Sequence, residues 1–235
     1  MIPIRTILRN KFSSPNKNPI LILGFPKSGT SAITGLLSRR TGLKATIDTK
    51  YLWEPYLTEL LNNRLDFKKH IKKHSYPFSK SIIKEPNLVF LVDELLNYYK
   101  NPKVVIIKRD KAENIKSILD RLKIPGDLKK NPKPEIINKN WRSLLLNEDR
   151  HYIESLSYKF DISTSNLEKF KHLNPIYVNY KEFKQNKILT IDKITNSLDL
   201  KVKNDVSDIV NKPFQPKSQN HKSIEDFFGD NLKYI

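Results

Sequence analysis

"LILGFPKSGTSAITGLL", residues 21–37, runs from a short apolar stretch through a glycine-bearing turn into a segment with helical spacing of its apolar residues. A strand that ends at Phe25 and a helix that starts near Ser28 leave the first backbone N–H groups of the helix without acceptors. Those groups point into the turn, where the positive end of the helix dipole favours an anion. Pro26 shapes the turn, Gly29 lets the backbone approach a ligand closely, and the hydroxyls of Ser28, Thr30 and Ser31 add donors. Lys27 adds a full positive charge. The stretch therefore reads as a phosphate-binding loop, with one departure from the nucleotide-hydrolysing pattern G-x-x-x-x-G-K-[ST]: Thr30 follows Gly29, and the lysine lies two residues upstream of that glycine.

The surrounding chain alternates strand and helix signals. "PILILGF" (19–25) and "KVVIIKR" (103–109) are continuous apolar runs of the kind buried on both faces of a parallel sheet, and "KSIIK" (80–84) and "PIYVNY" (175–180) are weaker versions. Helical patterns cover 28–40, 55–66, 87–100, 111–123, 135–158 and 187–198. The expectation is a single-domain P-loop-type α/β protein, a three-layer α/β/α stack around a central, mainly parallel sheet. Residues 1–18 read as a basic N-terminal extension to a domain spanning 19–235, and "KIPGDLKKNPKPE" (123–135) as a long, mobile surface loop.

The chain has 235 residues, 38% of them hydrophobic, which suffices for one sizeable core. The formal charge of +18 attracts polyanions. However, 34 of the 43 basic residues are lysines scattered along the chain, with "KKHIKK" (68–73) the densest run and no aromatic stacking pattern beside it. Nucleic acid is therefore a poor candidate for the main partner. The chain lacks cysteine, and no apolar run approaches the length of a membrane span, so the expected setting is cytoplasmic and soluble.

A nucleotide kinase would need a strand ending in a carboxylate to hold Mg²⁺, and "LVFLVDE" (88–94) imitates one. Its apolar residues Leu88, Leu91, Val92, Leu95, Leu96 and Tyr99 instead mark one face of a helix, which makes Asp93 and Glu94 solvated helix residues. A P-loop kinase and a non-catalytic polyanion-binding module are thus the alternatives to be tested. No metal site is expected from the spacing of the five histidines.

"GFPKSGTS" closely resembles the loop with which sulfotransferases bind the 5′-phosphate of 3′-phosphoadenosine 5′-phosphosulfate (PAPS), in which the lysine precedes the serine and glycine as Lys27 does here. A second hallmark of that family is an arginine leaving a later strand with a serine eight residues on, together gripping the 3′-phosphate. "VVIIKRDKAENIKSIL" supplies Arg109 and Ser117 at that spacing. "YLWEPY" (51–56) looks like the "EP" segment of carbohydrate sulfotransferases, and the likeness extends over residues 19 to about 200. The resemblance implies a soluble transferase moving the sulfuryl group of PAPS to a hydroxyl or amine of a small-molecule or glycan acceptor, with PAP as product and no metal.

The same resemblance implies roles. Lys27 would stabilise charge on the bridging oxygen, and Lys84, closing "SIIK", would lie near the transferring sulfonate. Glu54 is the first choice of general base and Glu85, beside Lys84, the second. The phenol and steroid branch places a histidine two residues after the matching lysine, where this chain has Pro86, which favours the carbohydrate and bacterial branch. His74 reads as solvated, Trp141 as core, and no role is assigned to "QPKSQNHKSIEDFFGD" (215–230).

Overall fold

The computed structural model describes residues 4–147, 149–212 and 222–235. The expected 215–230 segment therefore lies partly outside the described residues, Lys217 included.

In chain order the elements are helix α1 (Ile4–Lys11), strand β1 (Ile20–Leu23), α2 (Thr30–Thr41), β2 (Ala45–Ile47), α3 (Tyr56–Leu61), α4 (Phe67–Lys73), α5 (Ser75–Phe78) and β3 (Ile82–Lys84). They continue with α6 (Val92–Tyr98), β4 (Lys103–Lys108), α7 (Lys111–Leu122), α8 (Lys139–Leu145), α9 (Tyr152–Glu168), β5 (Ile176–Asn179), α10 (Tyr180–Gln185), α11 (Lys187–Ser197) and α12 (Ile224–Phe228). The five strands form one sheet in the order β2-β3-β1-β4-β5, every pairing parallel. β1 is central, with Ile22 level with Lys84 of β3 on one side and Val105 of β4 on the other. The chain runs from β1 to β2 and β3 on one side of it and then crosses to β4 and β5 on the other, so the crevice beyond the carboxyl end of β1 is a topological switch point, where open α/β sheets bind ligands.

Alternation along the strands builds the three layers. Leu21 and Leu23 of β1 with Ile83, Val104 and Ile106 face a core closed by Leu57, Ile71, Leu95 and Phe170. Ile20 and Ile22 with Ile82, Val105 and Ile107 face the opposite side, where Ile33, Leu36 and Leu37 of α2 meet Ile191 and Ile194 of α11. A third cluster around Ile115, Ile118, Tyr152 and Phe228 ties α7, α9 and α12 together, with Trp141 packed at its edge. The expected α/β/α stack on a parallel sheet is the one observed.

The pattern at 135–158 is not one helix. α8 stops at Leu145 and α9 starts at Tyr152, extending to Glu168. Between them His151 is extended (ψ 144°) and Asn147 bridges to Arg150, so the polar run after Leu146 turns the chain instead of continuing its helix. The 123–135 stretch carries no regular element before the turn at Pro134–Ile136, and it is held at several points. Tyr152 Oη donates to the Pro125 carbonyl at 2.7 Å, and Asn231 Nδ2 donates to the carbonyls of Gly126 and Leu128 at 3.0 and 2.9 Å.

Candidate active site

The loop after β1 is folded by two close approaches. A Cβ on Gly24 would stand 2.5 Å from Ser28 Oγ, so Ser28 tucks back against β1 only because residue 24 lacks a side chain. Gly29 has φ +99°, and a Cβ there would sit 2.3 Å from the ring of Tyr180, which covers the loop from the start of α10. Lys27 also adopts a left-handed φ of 69°, a conformation that costs energy for a residue with a side chain and clusters at ligand sites. Gly29 caps α2 with no side-chain hydrogen bond; Ala32 N and Ile33 N already donate to its carbonyl at 3.1 and 3.2 Å, so it is the N–H groups at the very start of the helix that point into the loop toward a ligand. Ser28 is 1% exposed, and its buried Oγ has no hydrogen-bond partner among the described residues.

Arg109 closes the loop from the end of β4. Its Nη1 donates to the Lys27 carbonyl at 2.7 Å, and its guanidinium lies 4.5 Å from the ring centre of Tyr180. Arg109 Nε stands 3.6 Å from Glu113 Oε2, too far for a hydrogen bond, and is buried without an acceptor among the described residues. Asp110 caps α7 by accepting from Glu113 N at 2.9 Å, which fixes the direction in which Arg109 leaves the sheet. Ser117 is half-buried on α7, apart from the buried stripe of Ile115, Ile118 and Leu119. Burial, then the charges of Arg121, Arg109 and Lys84, hold the Lys27 ammonium down to about 8, against a smaller upward pull from Asp120. This is a loop whose positive charge is concentrated and partly desolvated, and an anion would relieve it.

Lys84 ends β3 beside this loop. It is 2% exposed, and its Nζ is 2.5 Å from Asp48 Oδ1, just beyond β2. Glu85, the next residue, is engaged on both oxygens. Oε2 accepts from Thr49 N at 2.7 Å and Trp53 Nε1 at 3.2 Å, and Oε1 accepts from Asn87 N at 3.3 Å. Burial pushes its carboxyl up to about 7, with the Thr49 N–H pulling the other way. The arrangement makes Glu85 the cap of the Pro86–Phe90 turn and the clamp on the segment following β2.

Glu54 differs. One oxygen accepts from Thr58 N at 3.3 Å at the start of α3, while Oε1 is buried with no partner among the described residues. Glu54 lines a cavity of about 170 Å³ with Leu57, Phe90, Ser143, Leu144 and Lys159. Phe90 stands edge-on to Phe25 at 6.3 Å between ring centres, which links that cavity to the loop. Ser143 and Lys159 also line a neighbouring cavity of about 310 Å³, walled by Asn147, Asp149, Ser155 and Tyr158, and Ser155 Oγ is buried without a partner among the described residues.

Two readings change. His74 is not solvated: it is 3% exposed and stacks on Tyr51 at 3.8 Å between ring centres, while His70 Nε2 lies 2.6 Å from the Tyr51 carbonyl. Tyr180, in the sequence only the last residue of the weak strand signal at 175–180, contacts both Gly29 and Arg109. Asp93 lies within helix α6 and pairs with Lys169 at 2.7 Å, so it does not end a strand beside the loop. Among the described residues no group of three or more histidine, aspartate or glutamate side chains is placed to hold a metal ion.

No protein-family model matches the sequence, and a search of curated proteins finds no match. Solved structures do match. The sulfotransferase domain from the curacin biosynthetic pathway superposes with a TM-score of 0.55 at 13% identity, over 87% of this chain and 80% of that one. The chain has the sulfotransferase fold. A sulfotransferase from Alicyclobacillus acidocaldarius matches with a TM-score of 0.54 at 11% identity, over 93% and 94% of the two chains. Sulfotransferase STF9 from Mycobacterium avium matches with a TM-score of 0.55 at 13% identity, over 99% of this chain and 79% of that one. The sulfotransferase fold thus accounts for nearly the whole chain, and among its described residues no helix is long and apolar enough to cross a membrane.

Proposed function

We propose that this protein is a PAPS-dependent sulfotransferase acting on a hydroxyl of a polyhydroxylated or other small acceptor. The observation that carries the reading is the loop itself: a buried Ser28 hydroxyl without a partner and a desolvated Lys27 beneath the uncapped start of α2, closed by Arg109. These residues fit a nucleotide phosphate. Residues 26–31 would take the 5′-phosphate, and Arg109 with Ser117 the 3′-phosphate. PAPS supplies the sulfuryl group and departs as PAP.

The chain's own groups would do the rest. Lys27 holds positive charge where negative charge grows on the bridging oxygen, and Lys84, kept in place by Asp48, adds a second cation beside it. Glu54 is better placed than Glu85 to take the acceptor proton, because it lines the cavity and its Oε1 has no partner among the described residues, whereas both Glu85 oxygens accept backbone or indole N–H groups. The neighbouring cavity, with Ser143, Asn147, Asp149 and Ser155, suits an acceptor rich in hydroxyls. The test is PAP release from PAPS over a panel of sugars, phenols and amines. Turnover with a hydroxyl acceptor that vanishes in Lys27→Ala supports the reading; phosphate transfer from ATP with Mg²⁺ in its place contradicts it.

A further inference from the structure

Helix α1 is turned inside out. Its inward side is polar: the Asn10 carbonyl accepts from Ser75 Oγ at 2.6 Å, and Asn10 Oδ1 accepts from Tyr76 N at 3.0 Å, both on α5. Its outward side is apolar. Ile4, Ile7, Leu8 and Phe12 are 75%, 53%, 48% and 81% exposed, and at helical spacing they form one contiguous stripe. An exposed apolar stripe of this kind marks a contact surface.

Charge identifies what covers it. Arg5 and Arg9 lie along one side of the stripe, Lys11 falls within it at the end of the helix, and no acidic residue occurs before Asp48. The neighbouring surface is cationic too: Arg9 and Lys80 lie 5.1 and 3.6 Å from the ring centre of Tyr76 on α5. A second copy would bring the same cations against these, within a chain of net charge +18, so self-association through this face is opposed by repulsion. An anionic bilayer surface complements both features: the apolar side chains enter the boundary between headgroups and acyl chains while the basic groups pair with lipid phosphates. We propose that α1 is an interfacial anchor that docks the protein on anionic membranes. Neither feature suffices alone, because a single short apolar segment holds a membrane only weakly and a basic patch without one is released by salt.

The test is co-sedimentation of the full chain with vesicles of phosphatidylcholine alone and of phosphatidylcholine mixed with phosphatidylglycerol. The comparison variant is Leu8→Ser/Phe12→Ser, whose exposed positions leave the fold intact as checked by its thermal transition. The expected result is binding to the anionic vesicles only, weakened on the order of tenfold in the variant and reduced by salt. Absence of binding by the wild type at low salt overturns the proposal. So does equal binding by the variant, which would assign the attraction to the overall charge. A concentration-dependent dimer that the variant abolishes, without vesicle binding, would instead assign the stripe to a second copy and overturn it as well.

Discussion

Raising the pH through the range where Lys27 loses its proton should weaken nucleotide binding and make that binding take up protons. In the free protein burial and neighbouring cations hold the ammonium near 8. A phosphate dianion beside it favours the charged form, so binding raises the pKa again. At about pH 8 half of the free molecules carry a neutral Lys27, and binding of PAP should therefore take up about a third to a half of a proton, with uptake peaking at about pH 8.5–9 and falling away above the pKa of the bound state. Phosphate monoesters lose their second proton near pH 6, so above about pH 7.5 the ligand adds little of its own. Full recovery of the depression from 10.5 to about 8 would be worth about 3 kcal/mol. Solvent screening at this half-buried group reduces that to about 1–2 kcal/mol, roughly a tenfold weakening between about pH 7.5 and pH 10. Calorimetry in buffers of different ionisation enthalpy reads the proton count directly. Uptake that is absent between about pH 8 and pH 9, or that persists unchanged in Lys27→Met, would show that Lys27 is not the group that titrates.

Other substitutions separate positioning from chemistry. Gly29→Ala puts a Cβ 2.3 Å from the Tyr180 ring at a φ of +99°, so PAP affinity should drop about tenfold or more and the thermal midpoint should fall. Glu54→Gln should cut turnover by about 10²–10⁴ while leaving PAP binding unchanged, as steady-state rates and calorimetry together would show. Glu85→Gln should chiefly destabilise, by about 1–3 kcal/mol in urea titration, because it disturbs a buried acceptor of three N–H groups. Burial, then the charge of His70, holds the His74 imidazole down to about 4, so the unfolded chain binds its proton first and stability contributed at neutral pH is lost as pH falls from about 6.5. His74→Phe keeps the stack on Tyr51 and should remove about 1–2 kcal/mol of that acid sensitivity, measured as the wild-type-minus-variant difference. Taking the difference cancels Glu85, whose raised carboxyl acts oppositely and favours the fold at low pH.

The layer order was legible because β1 and β4 are continuous apolar runs that alternate between two cores, and the loop was legible because its lysine, glycine and hydroxyls are consecutive. Short-range signals failed elsewhere. β2 is three residues at a sheet edge with Ile47 exposed, so neither periodicity nor a long apolar run announces it. The break between α8 and α9 was hidden because both helices pack on one cluster and share an apolar phase across the turn. His74 lies at the end of a lysine-rich helix, and only the fold brings Tyr51 over its ring. Tyr180 meets Gly29 from about 150 residues downstream, a contact that spacing cannot express. Glu54 and Glu85 look alike in sequence, and their hydrogen bonds distinguish them.

Calorimetric titration of PAP, without metal, into the wild type, Lys27→Ala and Arg109→Ala tests the central claim that residues 24–31 and Arg109 form a nucleotide-bisphosphate site. Micromolar binding to the wild type is expected, lost in both variants, with ATP and Mg²⁺ binding weakly. Failure of the wild type to bind PAP, or a preference for ATP that depends on Mg²⁺, would contradict it.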